Sequence, residues 1–203
     1  MSPLRLAPLA SSHRARVAEL LVATASFSTE EIDVALELFD AAASDTSFRA
    51  SPQQEPSFRA SPQEEPSFRA SPKGESRNLH PSPDYELLGA FDDEHLVGYA
   101  CFGPTPSTEG TWDLYWLAVD PAAQGQGVGR TLVRAVEDTL RSRGARLVVV
   151  ETSSRADYEN TRAFYRRTGY AEAARVRDFY APADDRIILT TRLMYTPGGV
   201  ATQ

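Results

Sequence analysis

The stretch "WLAVDPAAQGQGVGRTLVRAVEDTL", Trp116 to Leu140, restricts the fold more than any other part of the chain. Its apolar start completes "TWDLYWLAV", a run rich in aromatic and branched residues that predicts a strand. The run breaks at Asp120-Pro121. Glycines then stand at positions 125, 127 and 129, and an amphipathic helical pattern follows to about Arg143. Gly144 closes that helix, with Arg141 and Arg143 in its last turn. Next comes "ARLVVVE", a continuous apolar run of the kind expected for a strand covered on both faces. Together these segments make one β-α-β unit.

The flanking segments are of mixed type. Positions 1–9 alternate weakly and predict a first strand. Ser11 or Ser12 then caps a helix with Val17, Leu20 and Leu21 on one face. "STEEIDVALELFDAA" predicts a second helix. Ser28 or Thr29 caps it, Glu30, Glu31 and Asp33 lie near its positive end, and Ile32, Leu36 and Phe39 form its apolar stripe. "YELLGAFDDEHLVGYACFG" reads as a β-hairpin turning at "DDEH". After the central unit, "YENTRAFYRRTGY" predicts a short helix stopped by Gly169, and "AEAARVRDFY" and "RIILTTRLMY" are strands around "APADD". The expected class is α/β with a mixed (α+β) sheet, in one domain over 1–203.

One segment departs from this order. "SFRASPQQEP", "SFRASPQEEP" and "SFRASPKGES" repeat in tandem from Ser47 to Ser76. Each copy carries one Phe, one or two prolines and mostly polar residues, too little apolar area to offset the cost of ordering the chain. Residues 44–83 are therefore expected to be a disordered insertion.

Composition removes several function classes. A net charge of −7 argues against a general nucleic-acid binder. The single cysteine, Cys101, excludes an intrachain disulfide and a cysteine-rich metal site, and its apolar setting "LVGYACFG" predicts a buried thiol. His13, His80 and His95 form no metal or triad spacing, so no metal is expected. The chain has no apolar run near the ~20 residues of a membrane span, so no membrane partner is expected. The first twenty residues show no signal-peptide core, which predicts a cytoplasmic location.

The glycine turn itself points to an anion. Glycines allow positive φ and close approach by a ligand, and the first turn of a helix offers unpaired N–H groups and partial positive charge. Arg130 and Thr131 add donors. The pattern is neither of two common phosphate loops. G-x-G-x-x-G would need glycine where Arg130 stands, and no Gly-Lys-Ser/Thr occurs.

Gln124-x-x-Gly127-x-Gly129 after a strand ending in Leu-Ala-Val resembles the acetyl-CoA signature of the GNAT superfamily of N-acetyltransferases. "ENTRAFYRRTGY" resembles the second motif of the same superfamily, and the similarity runs from about Tyr85 to Leu193. The insertion is a departure, lying where such proteins usually have a short connection. The resemblance implies a GNAT fold and acetyl-CoA as cosubstrate. Backbone groups of Leu117, Ala118 and Val119 would pair with the pantetheine arm as an added strand. Amides of Gln124, Gly125, Gln126, Gly127, Val128, Gly129, Arg130 and Thr131 would hold the pyrophosphate, and Asn160 would bond the arm.

Acetyl transfer to an amine needs a proton acceptor, a polarised carbonyl and a proton donor for the departing thiolate. Two carboxylates are candidate bases. Asp113 lies four residues before Leu117, so period-two alternation places both on one face. Glu151 ends "LVVVE" and resembles the Glu of ribosomal-protein alanine acetyltransferases, which "RVRDFY" also echoes. Tyr165 is the candidate acid, a phenol that stays protonated at neutral pH, while Phe164 is the better candidate for packing on the sheet. The Leu117 N–H is the expected polariser. Trp112, Tyr115, Trp116, Tyr158 and Tyr180 either wall an acceptor cleft or belong to the core. The implied acceptor is a primary amine on a small molecule or a peptide N-terminus, in a monomer or homodimer. Two alternatives remain open: a non-catalytic acyl-CoA-binding module, and an interaction protein working through the repeats.

Overall fold

The structure, a computed structural model, describes residues 4–45 and 85–193. The strands are β1 (Arg5–Pro8), β2 (Glu86–Asp92), β3 (His95–Pro104), β4 (Thr111–Val119), β5 (Leu147–Ser153), β6 (Ala171–Ala181) and β7 (Asp184–Arg192). The helices are α1 (Arg14–Ala23), α2 (Thr29–Asp45), α3 (Val128–Ser142) and α4 (Glu159–Arg167). The strands make one sheet in the order β1-β2-β3-β4-β5-β7-β6. β4 and β5 run parallel, joined across α3, and the remaining neighbours are antiparallel.

Each face of the sheet carries its own core. Val17, Leu20 and Leu21 of α1 and Leu38 and Phe39 of α2 pack with Tyr99, Cys101 and Ala118 on one face. Leu132, Val133, Val136 and Leu140 of α3 and Tyr165 of α4 pack with Phe102, Leu114, Val148 and Val150 on the other. The four α3 side chains are at most 1% exposed. Burying each contributes about 1.5–3 kcal/mol, enough to fix this helix against the sheet.

Local signals held in most places. Ser28 Oγ accepts the Glu31 N–H at 3.2 Å while the Glu31 carboxylate accepts the Ser28 N–H at 2.7 Å, a reciprocal cap for α2. The first helix differs from expectation. Ser11–His13 form a 3₁₀ turn, and α1 starts after His13 with no side-chain cap, so neither serine caps it. α2 runs through Asp45, two residues into the segment read as insertion. The repeats at 47–76 lie outside the described residues. Cys101 is buried, as its setting predicted. No helix among the described residues is long and apolar enough to cross a membrane.

Candidate active site

β4 and β5 pair at only three positions, Thr111 with Leu147, Trp112 with Val148 and Asp113 with Val149. Beyond that point β4 stays bonded to β3 and β5 stays bonded to β7. The sheet thus opens along 114–119 of β4 and 150–153 of β5. Among the described residues, backbone groups on those two edges have no ladder partner across the gap, which is the geometry that accepts an extended chain. Thr152 lies on the β5 side of the gap and shares the α3–α4 face with Val148 and Val150. It is 6% exposed, and its hydroxyl is buried without a hydrogen-bond partner among the described residues.

The glycine turn stands at the end of β4. Asp120 caps a 3₁₀ turn at Pro121–Ala123 through the Ala122 N–H, at 2.9 Å. That N–H, against some burial, and then the Arg16 guanidinium hold the Asp120 carboxyl below its usual range. Gln126 donates to Ala122 O at 2.8 Å and Gln124 to Val119 O at 3.2 Å, so both glutamine side chains brace the loop. Gly125 and Gly127 have φ of 74° and 88°, and a Cβ on either would meet nothing within 4 Å. Their requirement is conformational, and the space above them is open. Gly129 differs. It lies in α3, and a Cβ there would sit 3.4 Å from the Phe164 ring and 3.5 Å from Val119. The Thr131 N–H reaches Gly127 O at 2.9 Å. The N–H groups before it open the helix and aim outward.

The two carboxylates share the α1–α2 face. β4 carries a bulge at Tyr115, because Cys101 pairs with Trp116 while the next residue, Phe102, pairs with Leu114. The extra residue reverses the alternation. Trp112, Leu114, Leu117 and Val119 therefore pack on the α3–α4 core, and Tyr115, Trp116 and Ala118 on the other. Asp113 and Leu117 consequently lie on opposite faces, contrary to the unbroken-strand expectation. Asp113 sits at the closed end of the gap and accepts hydrogen bonds from Thr105 Oγ1 at 2.7 Å and Tyr115 OH at 3.4 Å. Glu151 lies two residues beyond the last β4–β5 pair. Its carboxylate is ion-paired with Arg186, and the Arg186 guanidinium stands 4.9 Å from the centre of the Phe179 ring.

A family model described as "Acetyltransferase (GNAT) family" matches residues 49–170, more than half of the chain. The chain belongs to the GNAT acetyltransferase family. A GNAT-family protein from Desulfovibrio desulfuricans is 32% identical with a TM-score of 0.72, the match covering 95% of this chain and all of that one. The N-alpha-acetyltransferase RimI of Mycobacterium tuberculosis is 35% identical over 102 residues, 49% of this chain and 60% of RimI. A Salmonella typhimurium protein, yncA, solved with its cofactor acetyl-CoA, shares the fold at 16% identity, with a TM-score of 0.60 and coverage of 98% and 99%. This chain thus spans less than two thirds of RimI, and 27% of the mycothiol acetyltransferase of Cellulomonas flavigena that it also matches.

Of the expected cofactor residues in this GNAT domain, some lie at the gap and the turn and two, Asn160 and Tyr165, on α4. Leu117, Ala118 and Val119 lie on the open edge of β4, and 124–131 form the loop and first turn of α3. Asn160 is exposed in the first turn of α4. The contrast drawn between the two α4 aromatics reverses. Tyr165 is the buried one, 4% exposed and packed edge-on against Tyr170. Phe164 is the peripheral one, half-buried beside Gly129. Burial pushes the Tyr165 phenol well above its ordinary value. Of the five aromatic wall candidates, two meet the α1–α2 connection and one lies on the β6–β7 hairpin. Trp116 packs on Phe27 at 5.2 Å, the Tyr158 hydroxyl donates to Ser26 O at 2.8 Å, and Tyr180 stands beside Phe179, both 49% exposed. Trp112 and Tyr115 pack elsewhere, on Phe102 and Tyr85. Arg186, Thr152 and Phe179 were not singled out from sequence. Each takes its meaning from a neighbour distant in the chain.

Proposed function

We propose that this GNAT domain, 1–203 with its insertion at 44–83, is an acetyl-CoA-dependent N-acetyltransferase acting on a primary amine by direct attack in a ternary complex. The observation that carries this reading is the parting of β4 from β5 beside an open helix N-terminus. The residues present fit the cosubstrate. The open strand edges suit a pantetheine amide chain, the buried Thr152 hydroxyl lacks a partner that such a chain would provide, and the glycine turn suits a diphosphate. Bound acetyl-CoA supplies the acyl group as a thioester.

Glu151 takes the amine's proton, oriented by Arg186 on the acceptor face. Asp113 is the other carboxylate on that face, but it sits at the closed end of the gap, at the last β4–β5 pair. Tyr165, protonated at neutral pH, is the proton donor assigned to the leaving sulfur. The amide of Leu117 is the donor assigned to the carbonyl oxygen. At the mouth, Phe27, Trp116, Tyr180 and Phe179 are apolar neighbours for the acceptor, and Glu31 and Glu151 are its charges. An ammonium on a small molecule or at a peptide N-terminus suits that combination.

The test combines coenzyme A binding by calorimetry with free-thiol release over a panel of amines and N-terminal peptides. Tyr165→Phe is expected to bind coenzyme A as the unaltered protein does while kcat falls roughly 10²–10⁴-fold. Binding without turnover on any amine would leave a non-catalytic acyl-CoA-binding module. Equal kcat in the Phe variant would make water the proton donor.

A further inference from the structure

A negative charge stands one 3₁₀ turn before the proposed diphosphate cradle. Asp120 follows β4 directly, and Gln124 lies four residues further on. One oxygen, Oδ1, caps the turn through the Ala122 N–H. The other, Oδ2, meets Arg16 Nη2 at 2.5 Å. Arg16 comes from α1, across the sheet from α3, and its remaining nitrogens are also committed. Nη1 donates to Glu19 at 3.0 Å and Nε to Leu96 O at 3.1 Å. Leu96 precedes Val97, whose carbonyl accepts the Asp120 N–H at 2.9 Å. The guanidinium is therefore fixed from three directions against the residue where β4 ends.

Two requirements conflict at this position. The loop needs a side-chain acceptor for its cap, and Asp and Asn serve there about equally well. A diphosphate repels a carboxylate. We infer that Arg16 is a charge-compensating residue for cofactor binding: it cancels the Asp120 charge, so the cap can be an aspartate without weakening the cradle for the diphosphate. This rests on the proposed function, since it needs coenzyme A at the glycine turn. It also ties α1, on the acceptor face, to the loop on the cofactor side.

The inference carries a sign that a packing role does not. Arg16→Met keeps the aliphatic stem and bares the carboxylate. Coenzyme A affinity, measured by calorimetry at low salt, should fall roughly three- to tenfold, and the loss should shrink as salt rises. Asp120→Asn keeps the cap and removes the charge, so it should bind coenzyme A as tightly as the unaltered protein or more tightly. In the double variant the affinity should return to within about twofold of the starting value, since the charge that needed cancelling is gone. A double variant as weak as Arg16→Met would overturn the inference and make Arg16 a structural strut. So would an unchanged affinity in Arg16→Met. Should Arg16→Met fail to fold, Asp120→Asn decides alone: a loss beyond threefold contradicts compensation. No coenzyme A binding by the unaltered protein would instead remove the proposed function, and this inference with it.

Discussion

The two sides of β4 are built differently. The proposed diphosphate cradle comes from one contiguous stretch, 120–131, in which the groups offered to a ligand are backbone amides and the side chains of Gln124 and Gln126 brace the loop. The proposed acceptor side would be assembled from five places: Phe27 and Glu31, Trp116, Glu151, Tyr158, and the 179–186 hairpin end. It would work through side chains. A site made of backbone needs its chain conformation and tolerates changes in side chains. A site made of side chains tolerates changes in any one stretch of backbone but depends on each contributed group.

The largest expected effect breaks or confirms the acceptor half of that contrast. Glu151→Gln keeps the shape and removes the proton-accepting charge. Steady-state thiol release should show kcat/KM for the amine falling roughly 10²–10⁴-fold, with coenzyme A affinity unchanged. Asp113→Asn retains an acceptor for Thr105 and should cost less than about tenfold. The reverse order would assign the base to Asp113 and leave Glu151 as the partner of Arg186.

A paired substitution tests the backbone half. Gly127 and Gly144 stand at the two ends of α3, with φ of 88° and 75°, and a Cβ at either position meets nothing within 4 Å. Alanine at either should therefore cost about the same, roughly 1–2 kcal/mol of stability, from left-handed strain alone. Only Gly127→Ala should also weaken coenzyme A binding, by about tenfold or more, because its strain shifts the amides that face the ligand. Matched losses of stability with matched coenzyme A affinities would place the ligand elsewhere.

The same contrast explains what the sequence made legible. The elements around β4 and α3 were readable because local pattern and fold agree there: an apolar run, three glycines, an amphipathic helix. The face assignment of Asp113 was not. The bulge at Tyr115 is imposed by β3 pairing, since Cys101 takes Trp116 and Phe102 takes Leu114, and nothing in "TWDLYWLAV" marks which residue is skipped. The order of burial within Phe164-Tyr165 was equally hidden. It is set by Tyr170 on one side and Gly129 on the other. Arg186 was invisible for a similar reason: an arginine at the start of a strand reads as solvated until β7 places it beside Glu151.

The smallest expected effect asks whether the two sides are coupled at all, and Cys101 reports it. The thiol lies on β3 under α1 and α2, 1% exposed, and burial pushes it from an ordinary value of 9.0 up to about 12. The raised value favours the protonated, folded form. Its stabilising contribution is complete below pH 9.0 and is lost as pH climbs from there through about 12. At pH 8 the native thiol should thus resist an aromatic disulfide reagent, and labelling should proceed only through opening. In the opened state the thiol is ordinary, so the rate should rise about tenfold per pH unit below its normal pKa. Two routes of opening are possible. Lifting α1 and α2 alone exposes Cys101 and keeps the glycine turn and the β4–β5 gap but parts Arg16 from Asp120, whereas global unfolding destroys all of these. Coenzyme A at ten times its Kd slows a global route about elevenfold, by the factor 1 + [L]/Kd, and a local route only about two- to sixfold, since the opened state still binds with the three- to tenfold lower affinity expected without Arg16. The separate cores on the two faces favour the local route, so the expected change is less than about sixfold. Full elevenfold protection would show that the acceptor face opens only when the cofactor face does, and the division drawn between the two sides would then hold for their chemistry but not for their stability.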